Sequence, residues 1–271
     1  MRNRRRSLKK ASLKVVEGSL IRGAALLHYT SEAERDEAGR AGVQAPCIVL
    51  PNPISHSPAV RCKGVFRAMQ PQLAGKNILL FLSRIDRKKG LELLLDSFAA
   101  LRPSHSGLHL VIAGSGDPDY VDALKARARQ LEIADQIHWS GFVSGELKNA
   151  ILADANVFVL PSYSENFGNA VAEALAAGLP VIVSENVGIH REITRAGAGL
   201  VVPCEAKPLS EAIRRFFSTP ELPTRMSAAA VQLGENAFPT GSIIRRLKAC
   251  YEDVLRDSRT APGLKHAELL P

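Results

Sequence analysis

The hydrophobic positions from residue 77 onward predict buried strands that alternate with amphipathic helices. Short continuous apolar runs are typical of strands buried on both faces of a sheet. These runs predict six strands, at Ile78–Leu82, Leu108–Ala113, Ile137–Trp139, Val157–Pro161, Val181–Val183 and Gly199–Val202. The segments between them predict helices at Lys88–Arg102, from Asp117-Pro118 onward, and at Glu146–Asp154, Phe167–Ala177 and His190–Arg195.

This alternation predicts the fold class. Strands joined by helices over short loops form a parallel, doubly wound α/β sheet with right-handed crossovers. We therefore expect a Rossmann-like domain over residues 77–240. Ligands on such sheets bind beyond the carboxyl ends of the strands, near a reversal of strand order.

The flanking segments are expected to lie outside this sheet. The elements predicted in residues 1–54 are a basic helix, a strand at Ala24–Tyr29, a helix at Glu32–Ala41 and a strand at Cys47–Leu50. Prolines and polar residues predict an interdomain connection that follows, with the linker at residues 55–76. Residues 241–257 predict a further helix, and residues 258–271 a disordered tail.

Length and composition fit an α/β domain and exclude several other classes. The 271 residues suit one large domain, or one domain and a fragment of another. With 46% hydrophobic residues, the chain is expected to fold rather than stay disordered. No apolar run reaches the roughly 18 to 20 residues of a membrane-spanning helix, and no signal-peptide core follows the basic start. We expect a soluble, cytoplasmic protein.

The positive charge is concentrated at the N-terminus. The net charge is +8, and six cationic side chains lie in the first ten residues. Two interpretations stay open: a solvated helix start, or peripheral contact with an anionic membrane surface at its inner face, where each basic residue contributes about 1 kcal/mol. Nucleic acid is not an expected partner, because no aromatic residues are interleaved with the charges and no recognition motif accompanies them.

The cysteine and histidine pattern argues against a metal site, and no cofactor is expected. The four cysteines are far apart and form no CxxC pair, which argues against a zinc site and a disulfide framework. His105 and His109 share a four-residue spacing, but the proline, serine and glycine residues around them predict a turn. A helical histidine pair needs a helix to present both rings on one face.

The stretch from Pro161 to Ala174 carries the most informative chemistry. Glu165 is predicted in a loop at the carboxyl edge of the sheet, and Glu173 about one and a half turns into the next helix. The helix start between them offers backbone N–H groups to an anion, and Gly168 lets a phosphate approach closely. Carboxylates beside an anion site suit a sugar diphosphate. The alternative is that Glu165 caps the helix and Glu173 is merely solvated.

This stretch resembles retaining glycosyltransferases of family 4, which have a two-domain GT-B fold. Their E-x-F-G-x-x-x-x-E-A motif is matched by Glu165–Ala174. Their G-R-[LI]-x-x-x-K-G motif is matched by Ser83–Gly90, with Ser83 in place of the usual glycine. Further matches are Ile112–Gly116, Trp139–Val143 and Ala176–Val181. The five motifs occur in the family's order, and the resemblance covers about residues 20–255.

The resemblance implies roles for individual residues. Arg84 and Lys89 would bind the donor diphosphate and stabilise it as it leaves, unless they belong only to a solvated basic loop. Glu165 would bind hydroxyls of the transferred sugar, and Glu173 those of the ribose. Other residues expected at the donor site are Gly114, Gly141, Phe142, Val143, Asn166, Phe167, Gly168, Asn169 and Ala170, and of these Gly141–Val143 would line the pocket for the base. For Gly114 a tight turn is an equal alternative. The family needs no protein nucleophile and no metal.

The resemblance also implies a second domain. The family's acceptor domain precedes the donor domain, and residues 1–54 resemble only its end. The helix Ile243–Leu255 would pack on that domain, so its apolar face is expected to be partly uncovered. The implied partners are a nucleotide sugar, a saccharide or lipid-linked acceptor, and either a separate acceptor-domain protein or a second copy of the chain. The Gly188–Ile193 segment resembles a branch found among polysaccharide-building enzymes.

Two competing functions stay open. The first is a nucleotide-sugar-binding subunit, or a degenerate fragment, that depends on a separate acceptor-domain partner. The second is a dinucleotide-binding oxidoreductase, since Gly114–Asp119 begins like a Rossmann fingerprint. That segment lacks the third glycine of the fingerprint, and Pro118 is poorly placed for it.

Overall fold

The computed structural model describes residues 18–54, 62–102 and 105–260. The basic decapeptide and residues 261–271 of the predicted tail lie outside this range. The chain divides into two compact units, one of residues 1–53 with 240–271 and the other of residues 54–239.

The smaller unit contains two parallel strands, β1 and β2, and two helices among its described residues before residue 54. Its elements before residue 54 are α1 (Gly18–Gly23), β1 (Leu27–Tyr29), α2 (Glu32–Arg40) and β2 (Cys47–Val49). Ser31 caps α2 by accepting a hydrogen bond from the Glu34 backbone N–H, and the Glu34 carboxylate accepts two 2.7 Å bonds from Thr30. This reciprocal capping fixes where the helix begins.

The larger unit is built on one six-stranded parallel sheet, as predicted. Its strands are β3 (Asn77–Leu82), β4 (Leu108–Ala113), β5 (Ile137–Gly141), β6 (Val157–Leu160), β7 (Val181–Ser184) and β8 (Gly199–Val202). Their order is β5-β4-β3-β6-β7-β8, and every neighbouring pair is parallel. The central strands are almost wholly buried, whereas β5 and β8 are half-buried at the edges.

Helices cover both faces of a sheet of this kind. The helices of the larger unit are α3 (Val65–Met69), α4 (Leu91–Ala99), α5 (Pro118–Gln130), α6 (Gly145–Asp154), α7 (Asn169–Ala176), α8 (His190–Ala196), α9 (Ala206–Ser218) and α10 (Glu221–Ala237). Asp117 caps α5 by accepting from the Tyr120 N–H at 3.0 Å. Pro118 occupies the first turn, as its sequence position predicts.

Two helices begin later than predicted, and a glycine is the cause in each case. The segment predicted as one helix from Lys88 is a 3₁₀ turn at Arg87–Lys89, followed by α4. Gly90 separates the two with a left-handed φ of 70°. Gly168 has a φ of 98° and holds back the start of α7 in the same way. A residue in this conformation cannot continue a right-handed helix.

The predicted linker differs from the structure over residues 62–76, which pack into the larger unit. These residues form α3 and a 3₁₀ turn, Pro71–Leu73. The buried Asp154 carboxylate accepts from the Gly64 N–H at 2.5 Å and the Arg67 N–H at 2.9 Å. The Arg67 guanidinium donates to the Leu73 carbonyl at 2.6 Å. The bonds to Asp154 span 90 and 87 positions and leave no periodic signal in the sequence.

The last helix, α11, spans Thr240–Thr260 and belongs to the smaller unit. Along its predicted apolar face, Ile243 is buried, while Ile244, Tyr251 and Leu255 are more than half exposed. Within residues 18–54, 62–102 and 105–260, no helix combines the length and the apolar character needed to cross a membrane.

Candidate functional site

The order of the sheet reverses between β3 and β6, the first and fourth strands of the larger unit. A reversal of this kind opens a crevice at the carboxyl ends of the two strands. The chain leaves β3 toward Lys89 and leaves β6 toward Glu165, and the two side chains form an ion pair. Lys89 is 14% exposed and Glu165 20% exposed, so both charges lie largely inside the crevice.

Backbone hydrogen bonds hold the two loops of this crevice together. The Lys88 carbonyl accepts from the Tyr163 N–H at 2.7 Å and from the Ser162 hydroxyl at 2.9 Å. The Glu165 N–H donates to the Asn186 carbonyl at 3.1 Å, and the Glu165 carbonyl accepts at 2.8 Å from the backbone of residue 188. The loops after β3, β6 and β7 therefore form one connected frame around the ion pair.

The four basic residues of the loop after β3 are not equivalent. Arg87 lies over the ring of Tyr120, with its guanidinium carbon 4.6 Å from the ring centroid. Burial, and secondarily Glu92, raises the pKa of the Tyr120 hydroxyl, so the ring stays neutral beneath this cation. Lys88 is exposed, and Lys89 alone of the four is drawn into the crevice. In a uniformly solvated basic loop, all four side chains would be similarly exposed and none would be held in the crevice.

Arg84 lies on the exposed part of the same loop. In the described part of the chain its guanidinium forms no ion pair. The turn that carries it packs tightly on the turn after β4, where the Ile85 N–H donates to the Ser115 carbonyl at 2.8 Å. A Cβ on Gly114 would overlap the Ser83 carbonyl oxygen and lie 3.0 Å from its carbon. Close packing alone therefore explains why a glycine occupies position 114, independently of any ligand.

The N-terminus of α7 faces the loop that carries Glu165. Gly168 occupies its cap position, and no side chain caps this helix start. A Cβ on Gly168 would lie 3.1 Å from a Val187 methyl group, in addition to the strain of a positive φ. Asn166 and Asn169 are exposed on either side, and Ala170 is half-buried. A helix start without a side-chain cap keeps backbone N–H groups for an anion.

Glu173 lies in the second turn of α7 and pairs with Lys148 of α6. The Lys148 Nζ lies 2.9 Å from Glu173 Oε1, and the side chains are 29% and 30% exposed. Lys148 was not predicted at the site, because the two residues are 25 positions apart on different helices. Nothing in the local pattern around residue 148 signals this pair.

Two residues predicted at the site have their side chains in the core. Phe167 is 3% exposed and packs edge-on against Phe238, with the ring centroids 5.7 Å apart. Val143 is 8% exposed. The side chains of Phe167 and Val143 are therefore too buried to contact a ligand, and only their backbone groups remain available. Phe142, by contrast, is 75% exposed, next to the exposed Gly141 with its φ of 66°.

A cavity of about 360 Å³ opens beside these residues at the carboxyl ends of β4 and β5. Gly114 and Gly141 line it, together with the indole of Trp139 and the side chain of Lys125. It lies at the strand ends where the sequence predicted the base to bind. In residues 18–54, 62–102 and 105–260, no group of three His, Cys, Asp or Glu side chains is arranged to hold a metal ion.

Comparison with known proteins identifies the family. The model of the family described as glycosyl transferases group 1 matches residues 66–233. The chain belongs to this family. The matched region of this member of the group 1 family contains the whole six-stranded sheet, the Lys89–Glu165 pair and Glu173.

Individual relatives place the group 1 domain within longer proteins. Mannosylfructose-phosphate synthase of Agrobacterium fabrum is 30% identical over 182 residues, which make up 65% of this chain and 40% of that protein. The chain spans about half the length, or less, of the curated relatives it matches.

Solved structures of other proteins share the fold. Sucrose-phosphate synthase from Thermosynechococcus elongatus superposes with a TM-score of 0.79 at 24% identity, covering 89% of this chain and 61% of that one. HepE from Anabaena, solved in complex with UDP-glucose, superposes with a TM-score of 0.79 at 20% identity, covering 90% of this chain and 68% of that one. The predicted α/β, GT-B-type fold is confirmed.

Proposed function

We propose that this chain holds the donor site of a retaining glycosyltransferase of family 4, which transfers a sugar from a nucleoside-diphosphate sugar. The observation that carries the proposal is the Lys89–Glu165 pair in the crevice beside the uncapped start of α7. A cation and a helix start suit a diphosphate, and a carboxylate suits sugar hydroxyls. That HepE was solved with UDP-glucose in the same fold supports this class of ligand.

The proposed reaction uses these groups on the leaving side. The bond between the sugar's anomeric carbon and the β-phosphate oxygen breaks, and its electron pair stays on the phosphate. Arg84, Lys89 and the start of α7 stabilise the charge that develops there. The acceptor hydroxyl bonds to the anomeric carbon on the same face, and its proton passes to the leaving phosphate. Glu165, released from Lys89, orients the sugar hydroxyls.

The acceptor side is proposed to depend on a second domain. Acceptor positioning and exclusion of water belong to the other half of a GT-B enzyme, and both contribute strongly to rate. We infer that the present chain binds nucleotide but transfers sugar slowly unless an acceptor-domain partner joins it. A saccharide or lipid-linked acceptor in polysaccharide or glycoconjugate synthesis fits the Gly188–Ile193 segment. Efficient transfer by the purified chain alone would contradict this dependence.

Calorimetric titration of the chain with UDP, GDP and ADP tests the donor site. We expect one nucleotide to bind selectively, and Arg84→Ala and Glu173→Ala each to weaken it about tenfold, the loss of one hydrogen bond to a charged group. Arg246→Ala and Glu211→Ala, at exposed positions of α11 and α9, serve as charge-matched controls and should change Kd less than twofold. Absence of binding, or equal effects of the controls, would contradict the proposal.

A further inference from the structure

The ion pair between Lys148 and Glu173 connects two helices, α6 and α7. Lys148 lies in the first turns of α6, the helix that directly follows the exposed Gly141–Phe142 segment. Glu173 lies on α7, whose start follows Gly168. The pair therefore bridges the helix after the proposed base site and the helix after the proposed phosphate site.

The hydrogen-bonding capacity of this pair is only partly used. Lys148 has three N–H donors, and one of them is directed to Glu173 Oε1 at 2.9 Å. Glu173 Oε2 accepts no hydrogen bond from any described residue. Both side chains are about 30% exposed, so the unused groups are accessible. A free acceptor and unused donors thus lie side by side at the exposed ends of the two side chains.

A vicinal diol is the chemical group that matches this arrangement. Each of its hydroxyls donates one hydrogen bond and accepts others, so one can donate to Glu173 while its oxygens accept from Lys148. In a nucleotide, the ribose carries such a diol and joins the base to the phosphates. A bridge between the base and phosphate sites lies where the ribose must pass.

We propose that Lys148 binds the ribose diol together with Glu173 and is therefore a second ribose-binding residue of the donor site. This inference rests on the proposed nucleotide-sugar function. The pair orients one carboxylate oxygen toward the diol, and the ammonium binds the diol oxygens directly. The competing role, a brace between α6 and α7, would support every ligand of the site equally.

The test compares ligands with and without the diol. The full chain and its Lys148→Met variant are titrated with UDP, GDP and ADP, and then with the 2′,3′-dideoxy form of the nucleotide that binds. We expect Lys148→Met to weaken binding of the ribonucleotide about tenfold and of its dideoxy form less than threefold. Lys148→Arg, which keeps charge and donors, should stay within threefold of the unchanged chain for both ligands.

The controls separate the possible failures. Lys248→Met removes an exposed lysine of α11 and should leave both affinities unchanged. Equal weakening of ribo- and dideoxynucleotide by Lys148→Met would show a brace and overturn the inference, as would an unchanged affinity for the ribonucleotide. If the unaltered chain binds none of the three nucleotides, the proposed function fails, and this inference fails with it.

Discussion

Replacing Gly90 by alanine tests the close contact that joins the loop of Lys89 to the end of β6. Gly90 has a φ of 70°, which costs a non-glycine residue about 1–2 kcal/mol. An alanine Cβ would also overlap the Pro161 carbonyl oxygen and lie 3.1 Å from its carbonyl carbon. Overpacking against rigid backbone adds about 1–3 kcal/mol. We expect Gly90→Ala to lower the free energy of unfolding by about 2–5 kcal/mol.

Gly75 provides the matched control for this substitution. Its φ of 67° is nearly the same, but a Cβ there would meet no atom within 4 Å. Gly75→Ala should therefore show the backbone cost alone. Urea unfolding can be followed by the fluorescence of Trp139, the chain's single tryptophan, which lies on β5 of the same unit. If both variants lose the same stability, the contact with Pro161 does not shape this loop and the reasoning is wrong.

Two further predictions concern the stability of the larger unit. Asp154→Ala removes the acceptor of the Gly64 and Arg67 N–H groups and should lower the free energy of unfolding in urea by about 2–4 kcal/mol. Asp154→Asn should lower it less. A loss near zero for Asp154→Ala would show that other contacts hold residues 62–76. Burial lowers the pKa of His138, so its contribution to stability is present above the usual histidine pKa of about 6.5 and is lost as the pH falls below it. His138→Gln should make the free energy of unfolding, followed by circular dichroism, decrease less between pH 7.5 and pH 5.5; an unchanged decrease would exclude this histidine as a source.

The strands of the sheet could be predicted closely from the sequence because burial on both faces leaves a local signal. The predicted bounds of Leu108–Ala113 and Gly199–Val202 coincide with β4 and β8. Helix starts were less certain, since the predicted starts at Lys88 and Phe167 ignored the left-handed glycines that follow each of them. A glycine's φ depends on what packs beside it, and the nearest neighbours of Gly90 and Gly168 are Pro161 and Val187, which lie farther along the chain.

The candidate site, like the fold, could be predicted only in part from the sequence. Its order along the chain was visible in the motifs around Arg84 and Glu165, which the strand order brings to one crevice. The sequence did not show which side chains pair with each other. Lys89 meets Glu165 across 76 positions and Lys148 meets Glu173 across 25, and no periodicity links residues on separate elements. Nor did it show that the Phe167 ring belongs to the core.

A crystal structure of the chain with the nucleoside diphosphate selected by titration tests the central claim most directly. We expect the diphosphate at the uncapped start of α7, within reach of Arg84 and Lys89, and the ribose beside Glu173. We also expect the Lys89–Glu165 ion pair to open so that Lys89 turns to the phosphates. A nucleotide bound instead in the cavity of about 620 Å³ lined by Asn156, Pro180 and Thr224 would contradict a donor site at the start of α7.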